Sequence, residues 1–438
     1  MSTVESNDVW LGKMPSDWQR SRLRNMAALS PGYSATVPTS DEPCTVVPME
    51  LLSGDGAIDV TNQQPLDEIT SGLTLFEEGD VLFAKITPCM ENGKGAFVRE
   101  LPTRYAFGST EFHVLRPSKK IDGRFLYYAT FNPIYRAYAA ENMVGAAGQK
   151  RVSSRFVKDT RLFLPPLPEQ QRIAAYLDAS CAAIDAAVAA KRRQLDTLDA
   201  LRKSITLQAV TKGLYPNVPM RETGIDWIPQ IPAHWETTKL TSLFWFRKGA
   251  RAGEITQKYI AEYPGEFPVF SGQTEDGGLM GSIDSFEFDF DSPVIFVTTV
   301  GAKAMSTRLV KGKFSVSQNC ALIIPWHRKT RVDYFEPAIQ ELFDFERRSI
   351  ALIMQPSLRF KDLKKFRLPL PPPTEQAAIC AHLCAKLGEA KRIASGIESQ
   401  IATLTAYRKS LIHECVTGQR RITEADVRAA GCPQRPDN

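Results

Sequence analysis

The chain is 438 residues long, enough for two to four domains, and its 43% hydrophobic content can give each a sizeable core. Its net charge of +5, with a pI near 8.7, is a mild basic excess compatible with a nucleic-acid partner. Eight cysteines without a CxxC pair argue against a disulfide framework or a zinc ribbon. The opening MSTVESNDVW lacks a charged-then-apolar signal, and runs such as Pro293 to Val297 and Ala321 to Trp326 are too short to cross a bilayer, so a cytoplasmic protein with no membrane partner is expected.

Residues 1–160 begin with WLGKMPSDWQ and read as a globular α+β segment. Val46 to Pro48, Gly79 to Lys85 and Glu111 to Pro117 have strand composition bounded by Gly, Pro and Asp. Asp122 to Asn142 reads as a helix interrupted at Pro133. Residues 161–213 then combine a proline turn, LPPLPEQQ, with one long helix. Prolines 165, 166 and 168 favour an extended approach and permit a helix to start directly after them, where a missing N–H does no harm. Within it Ala174, Leu177, Cys181, Ile184, Val188, Leu195, Leu198, Ile205 and Ala209 form a heptad seam, with Lys191 and Arg202 as polar interruptions.

The same plan then repeats. Trp10-Leu11, Pro15 and Trp18 return at an offset of 217 as Trp227-Ile228, Pro232 and Trp235. Residues 214–366 hold strand-like Pro293 to Thr299 and Asn319 to Pro325, a helix around Tyr334 to Leu342, and expected loops at Gly272 to Gly281 and Gly301 to Lys313. Residues 367–420 match the first proline turn and helix without a gap: at an offset of 206, Glu169, Gln170, Ile173 and Leu177 fall on Glu375, Gln376, Ile379 and Leu383, and Arg202-Lys203-Ser204 on Arg408-Lys409-Ser410. The second seam runs through Cys380, Leu383, Leu387, Ala390, Ala394, Ile397, Ile401, Leu404 and Leu411. Residues 421–438 read as a poorly ordered polar tail. A helix from Pro168 to Lys212 spans roughly 65 Å, too long to hide its stripe alone, and the natural partner is its equal-length copy. The frame is duplicated, whereas the two globular contents share little identity.

Three stretches imitate enzyme chemistry. Asn132-Pro133-Ile134-Tyr135 is close to the Asn-Pro-Pro-aromatic signature of adenine methyltransferases, but with isoleucine third and no glycine-rich cofactor loop before it. Asp80 with Lys85 near Glu111 imitates a nuclease cluster, and Gly277 to Gly281 is glycine-rich without the lysine and hydroxyl of a phosphate loop. Cys380, His382 and Cys384 suggest a metal at first sight, but on a helix His382 leaves the face the two cysteines share. An enzyme in its own right, methyltransferase or nuclease, and a protein-only scaffold are therefore the alternatives.

Taken together, LPPLPEQQRIAAYLD and LPLPPPTEQAAICAHL, the helix ends LRKSI and YRKSL, the WLGKMPSDW and WIPQIPAHW openings and the GDVLFAKITP strand resemble the DNA sequence-specificity (S) subunit of type I restriction-modification systems. The resemblance covers nearly the whole chain. It implies two target-recognition domains separated by two long helices in an antiparallel coiled coil with pseudo-two-fold symmetry. It also implies no catalytic or metal site, double-stranded DNA read as a split target, and partnership with methylation (M) and restriction (R) subunits. S-adenosylmethionine and ATP/Mg are then expected on those partners, with no cofactor on this chain. Position in basic or glycine-containing loops makes Lys85, Thr87, Lys94, Gln149, Lys150 and Arg151 the DNA-contact candidates of the first domain. Gln273, Lys303, Gln355, Arg359 and Lys361 are those of the second. Faces away from the seam, with Tyr176, Lys191, Arg192, Arg193, Arg202 and Lys203, are the expected partner-docking surface.

Overall fold

A computed structural model describes residues 3–5, 10–11, 13–32, 41–69, 72–146, 148–272, 275–301, 303–351 and 355–431. The chain divides into two compact units, residues 1–192 with 398–438, and residues 193–397. The borders fall inside the two long helices, Leu167–Lys212 and Pro373–Thr417, so each unit owns half of each helix.

In the first unit the sheet order is Ala27–Leu29, Phe112–Pro117, Val81–Ala84, Gly95–Phe97, antiparallel throughout. A second four-stranded sheet places Pro43–Val47 parallel to Ala106–Gly108, with Gln63–Pro65 and Thr74–Phe76 outside them. Val81, Phe83 and Leu115 pack on Phe125, Leu126 and Ala129 of the helix Gly123–Phe131. Asn132 ends that helix and caps the next, Pro133–Glu141: its side-chain oxygen accepts the Ile134 N–H at 3.0 Å, and Pro133 sits where no donor is needed. The expected interruption is therefore a capped helix-to-helix junction.

The second unit has a six-stranded sheet in the order Phe244–Arg247, Cys320–Pro325, Phe288–Thr298, Thr307–Val316, Pro264–Phe270, Leu279–Ile283. Its first four strands repeat the antiparallel sheet of the first unit in order and direction. Ile295, Val297 and Ile323 pack on Phe335, Ala338 and Leu342 of the helix Val332–Ala351. Residues 307–313 were expected in a loop but form strand. Val310, Phe314 and Val316 fall on one face, a period of two in which Gly312 shares their phase while Lys311 and Lys313 take the opposite, exposed positions. Leu279–Ile283, at the end of the other expected loop, is likewise strand.

The frame is built the same way in both units. The strand after each opening pairs antiparallel with the strand before each proline turn, Gln19–Arg22 with Arg161–Leu164 and Glu236–Lys239 with Arg367–Leu370. Gln170 then turns its amide back to donate to the Pro165 carbonyl at 2.9 Å, and Gln376 does the same to Pro371 at 2.9 Å. That bond satisfies a buried carbonyl at the mouth of the helix and explains glutamine at this spacing. The preceding glutamate anchors the opening. Glu375 accepts from Trp235 Nε1 at 2.9 Å, whereas Glu169 pairs with Arg421, whose guanidinium lies over the Trp18 ring at 5.9 Å. Gly213, which ends the first long helix at φ +73°, packs under Trp235, and Gly418, which ends the second at φ +76°, packs under Trp18. Each opening tryptophan thus clamps the start of one long helix to the end of the other.

The helix pairing follows from those clamps. In the first unit Leu177, Cys181 and Ile184 share a core with Leu411, Ile412 and Cys415, and Val188 and Leu404 flank it. In the second, Ala209 and Val210 share a core with Ile379 and Leu383. The start of each helix therefore meets the end of the other, which is antiparallel pairing in both units. The region beyond Arg421 is built rather than loose: Arg421 pairs with Asp17 at 2.9 Å, and Thr423 and Asp426 form a capping box on the helix Glu424–Ala429. Residues 432–438 of the expected tail lie outside the described residues. The first long helix, Leu167–Lys212, is by length and composition apolar enough to cross a membrane, beyond the short apolar runs expected. Its apolarity comes mainly from alanines, and among its large side chains Ile173, Leu177 and Ile184 are buried in the first unit's core.

Candidate nucleic-acid interface

In the first unit the loop leaving Val81–Ala84 crosses the loop that precedes the helix Ser154–Asp159. Val152 N–H donates to the Lys85 carbonyl at 2.8 Å, Thr87 N–H to the Lys150 carbonyl at 3.0 Å, and Lys85 N–H to the Glu111 carbonyl at 2.8 Å. Ile86 and Val144 each bridge Arg151. Lys150 N–H donates to Thr87 Oγ1 at 3.1 Å, and that hydroxyl donates to the Gly148 carbonyl at 3.2 Å. Gly145, at φ +133°, lets the loop close, because a side chain there would meet the Gln149 carbonyl at 2.7 Å. Lys85, Thr87, Gln149, Lys150 and Arg151 are thus gathered into one crossing, with Gln149 and Lys150 exposed.

Besides Thr87, whose hydroxyl is taken up within the crossing, two of the six first-domain candidates are already engaged. Lys94 donates its ammonium to the Met49 carbonyl at 2.8 Å. Arg151 makes a forked pair with Glu111, with contacts of 2.8, 3.0 and 3.1 Å. The Arg151 hydrogen bonds hold the Glu111 carboxyl below its usual range. Behind them His113, 2% exposed, places Nε2 2.8 Å from the Val152 carbonyl, and burial pushes its pKa down to about 4. The crossing rests on a neutral imidazole.

The second unit makes the same crossing with different residues. Leu358 N–H donates to the Thr299 carbonyl at 2.8 Å, Gly301 N–H to the Pro356 carbonyl at 3.3 Å, and Val300 bridges Ser357. Exposed Lys303, Gln355, Arg359 and Lys361 surround it, while Gln273 lies outside the described residues. A backbone frame that is common, carrying side chains that differ, suits two readers of two different sequences.

The remaining candidates sort by exposure. Tyr176 was expected on an outward docking face but is 7% exposed, in the first unit's core with Arg420 above its ring at 5.3 Å. Its aromatic bulk draws it to the core where helix position alone pointed outward. Arg192 and Arg193 are exposed, Lys191 and Arg202 half-buried, and Lys203 pairs with Asp199 at 2.7 Å.

The enzyme-like stretches have structural duties. Asn132 and Tyr135 are buried, and Asn132 Nδ2 lies 3.1 Å from His413 Nδ1. Asp80, 1% exposed, receives a two-pronged Arg116 at 2.8 Å on each oxygen. Gly277 and Gly278 take positive φ ahead of a strand. Among the described residues no group of three or more His, Cys, Asp or Glu side chains is placed to hold a metal.

The fold and site define a class: a duplicated protein with two α+β target-recognition domains, each offering a crossed pair of loops, on two long helices paired antiparallel. The chain belongs to the family described as the type I restriction modification DNA specificity domain, which it matches at residues 15–195 and 232–402. It is similar to the type I restriction enzyme EcoAI specificity subunit of Escherichia coli, 34% identical over 37% of this chain and 27% of that protein, so the match spans about a quarter of that relative. The putative MjaX specificity subunit of Methanocaldococcus jannaschii is 23% identical over 94% of this chain and 96% of its own length. A chain from a solved type I R-M system shares the fold with a TM-score of 0.69 at 17% identity, covering 93% of this chain and 99% of that one.

Proposed function

We propose that this chain is the recognition subunit of a type I restriction-modification complex, reading a two-part double-stranded DNA target with one domain per half-site. The supporting observation is the loop crossing made at the same place in both domains, between Lys85 and Val152 and between Thr299 and Leu358, with dissimilar side chains around a shared backbone. Phosphates would be met by exposed Lys150, Lys303, Arg359 and Lys361, and base edges by neighbouring polar groups. The exposed cations of the long helices, Arg192 and Arg193 among them, would receive the methylation subunits, with restriction subunits joining the assembly. The chain itself does no chemistry: S-adenosylmethionine and ATP/Mg act on the partners, in the cytoplasm. Mapping methylated adenines in cells with and without the gene tests this. A two-part motif with a fixed gap that disappears with the gene is expected, and its absence refutes the proposal.

A further inference from the structure

The second domain carries a further arginine in the strand Thr307–Val316, within the stretch expected as a loop. Arg308 sits directly opposite Phe296, one strand residue beyond the end of the loop that holds Lys303. Its guanidinium lies over the Phe296 ring at 4.2 Å and the Phe270 ring at 4.8 Å, and its Nε and Nη2 are shielded from solvent without an acceptor. Among the described residues it has no carboxylate partner. Burial lowers its pKa, offset only by the nearby Cys320 thiol.

Comparison with the first domain shows how unusual this is. Strand register equates Phe296 with Leu82 and Arg308 with Ala96, since both pairs flank the strand next to the loop crossing. Ala96 is fully buried among Leu82, Val114 and Phe112. The second domain has put a charge where its sister has a core methyl. Such a substitution is costly unless the charge gains a partner in another state. The engaged cations of the first crossing would each give up hydrogen bonds to reach DNA; Arg308 gives up only contact with two rings.

We infer that Arg308 is a specificity-determining residue of the second domain, swinging from its two phenylalanines to present its planar fork to the N7 and O6 acceptors of one guanine in the second half-site. The inference rests on the proposed DNA-reading function. Arginine is suited to this edge because its fork meets both acceptors at once, which lysine does not. The two aromatic rings hold the guanidinium near the crossing without neutralising it. A phosphate contact would draw on the same charge but carry no base preference.

The test is the methylation pattern made by the full complex with wild-type chain, Arg308→Lys and Arg308→Gln. The expected result is a wild-type two-part motif in which one guanine of one half-site loses its preference by roughly 5- to 100-fold in both variants, every other position being kept. The unaltered half-site reports that the subunit still folds and assembles. A motif unchanged in both variants overturns the inference, as does Arg308→Lys weakening all positions evenly or erasing the half-site as a whole. No two-part motif from the wild-type chain overturns the proposed function and this inference with it, an outcome distinct from the other three.

Discussion

His113 makes the stability of the first domain depend on pH. Its imidazole is 2% exposed beneath the loop crossing, and burial pushes its pKa from 6.5 to about 4, opposed by the hydrogen bond to the Val152 carbonyl and by Glu111 and aided by Lys85 and Arg136. The unfolded chain takes up a proton near pH 6.5 that the folded domain refuses until about pH 4. The contribution is therefore complete above pH 6.5 and lost as pH falls toward 4. At about 1.4 kcal/mol per pH unit the full loss is about 3 kcal/mol, and the part lost between pH 7 and pH 5 is about 2 kcal/mol. Glu341 of the second unit, whose carboxyl burial and Asp344 push up to about 7, changes stability in the opposite sense: it favours the folded state as pH falls from 7. Urea unfolding of wild type and His113→Gln at pH 7 and pH 5 cancels that and every other titration. Wild type should lose about 2 kcal/mol more than the variant over this interval. Equal losses would refute the assignment of a neutral, buried His113.

Three further outcomes are expected. Lys150→Ala should weaken DNA binding by the complex evenly across sequences and reduce the salt slope by about 1, measured by titration at several ionic strengths. Gly213→Ala and Gly418→Ala should each cost about 1–2 kcal/mol in denaturant unfolding, because each glycine is at positive φ and a methyl would press on Trp235 at 3.0 Å in the first and on Pro15 at 2.6 Å and Trp18 at 3.1 Å in the second. Asp178→Ala removes a carboxylate that holds Arg99 at 2.7 Å, Arg124 at 3.2 Å and the Tyr128 hydroxyl at 2.8 Å. It should destabilise the first unit by about 2–3 kcal/mol, read by the fluorescence of Trp10 and Trp18.

Local sequence determined the long helices, the strands around Val81 and Ile295 and the break at Pro133, because a heptad, an apolar run between breakers or a proline acts on its neighbours in sequence. The repeat of Glu169-Gln170 as Glu375-Gln376 likewise marked the frame before its hydrogen bonds were known. Tertiary structure decided what those elements meet. Nothing local to Arg151 announces Glu111, nothing near Tyr176 announces the core that takes it in, and Arg308 is set apart from other strand arginines only by Phe270, which lies far from it along the chain. Helix direction was in the same position: a heptad seam fits parallel and antiparallel partners equally, and the choice was made by Trp18 and Trp235 closing over the glycines that end the opposite helices. Burial and pairing are properties of distant residues brought together, so they are settled by the fold and not by any one stretch of chain.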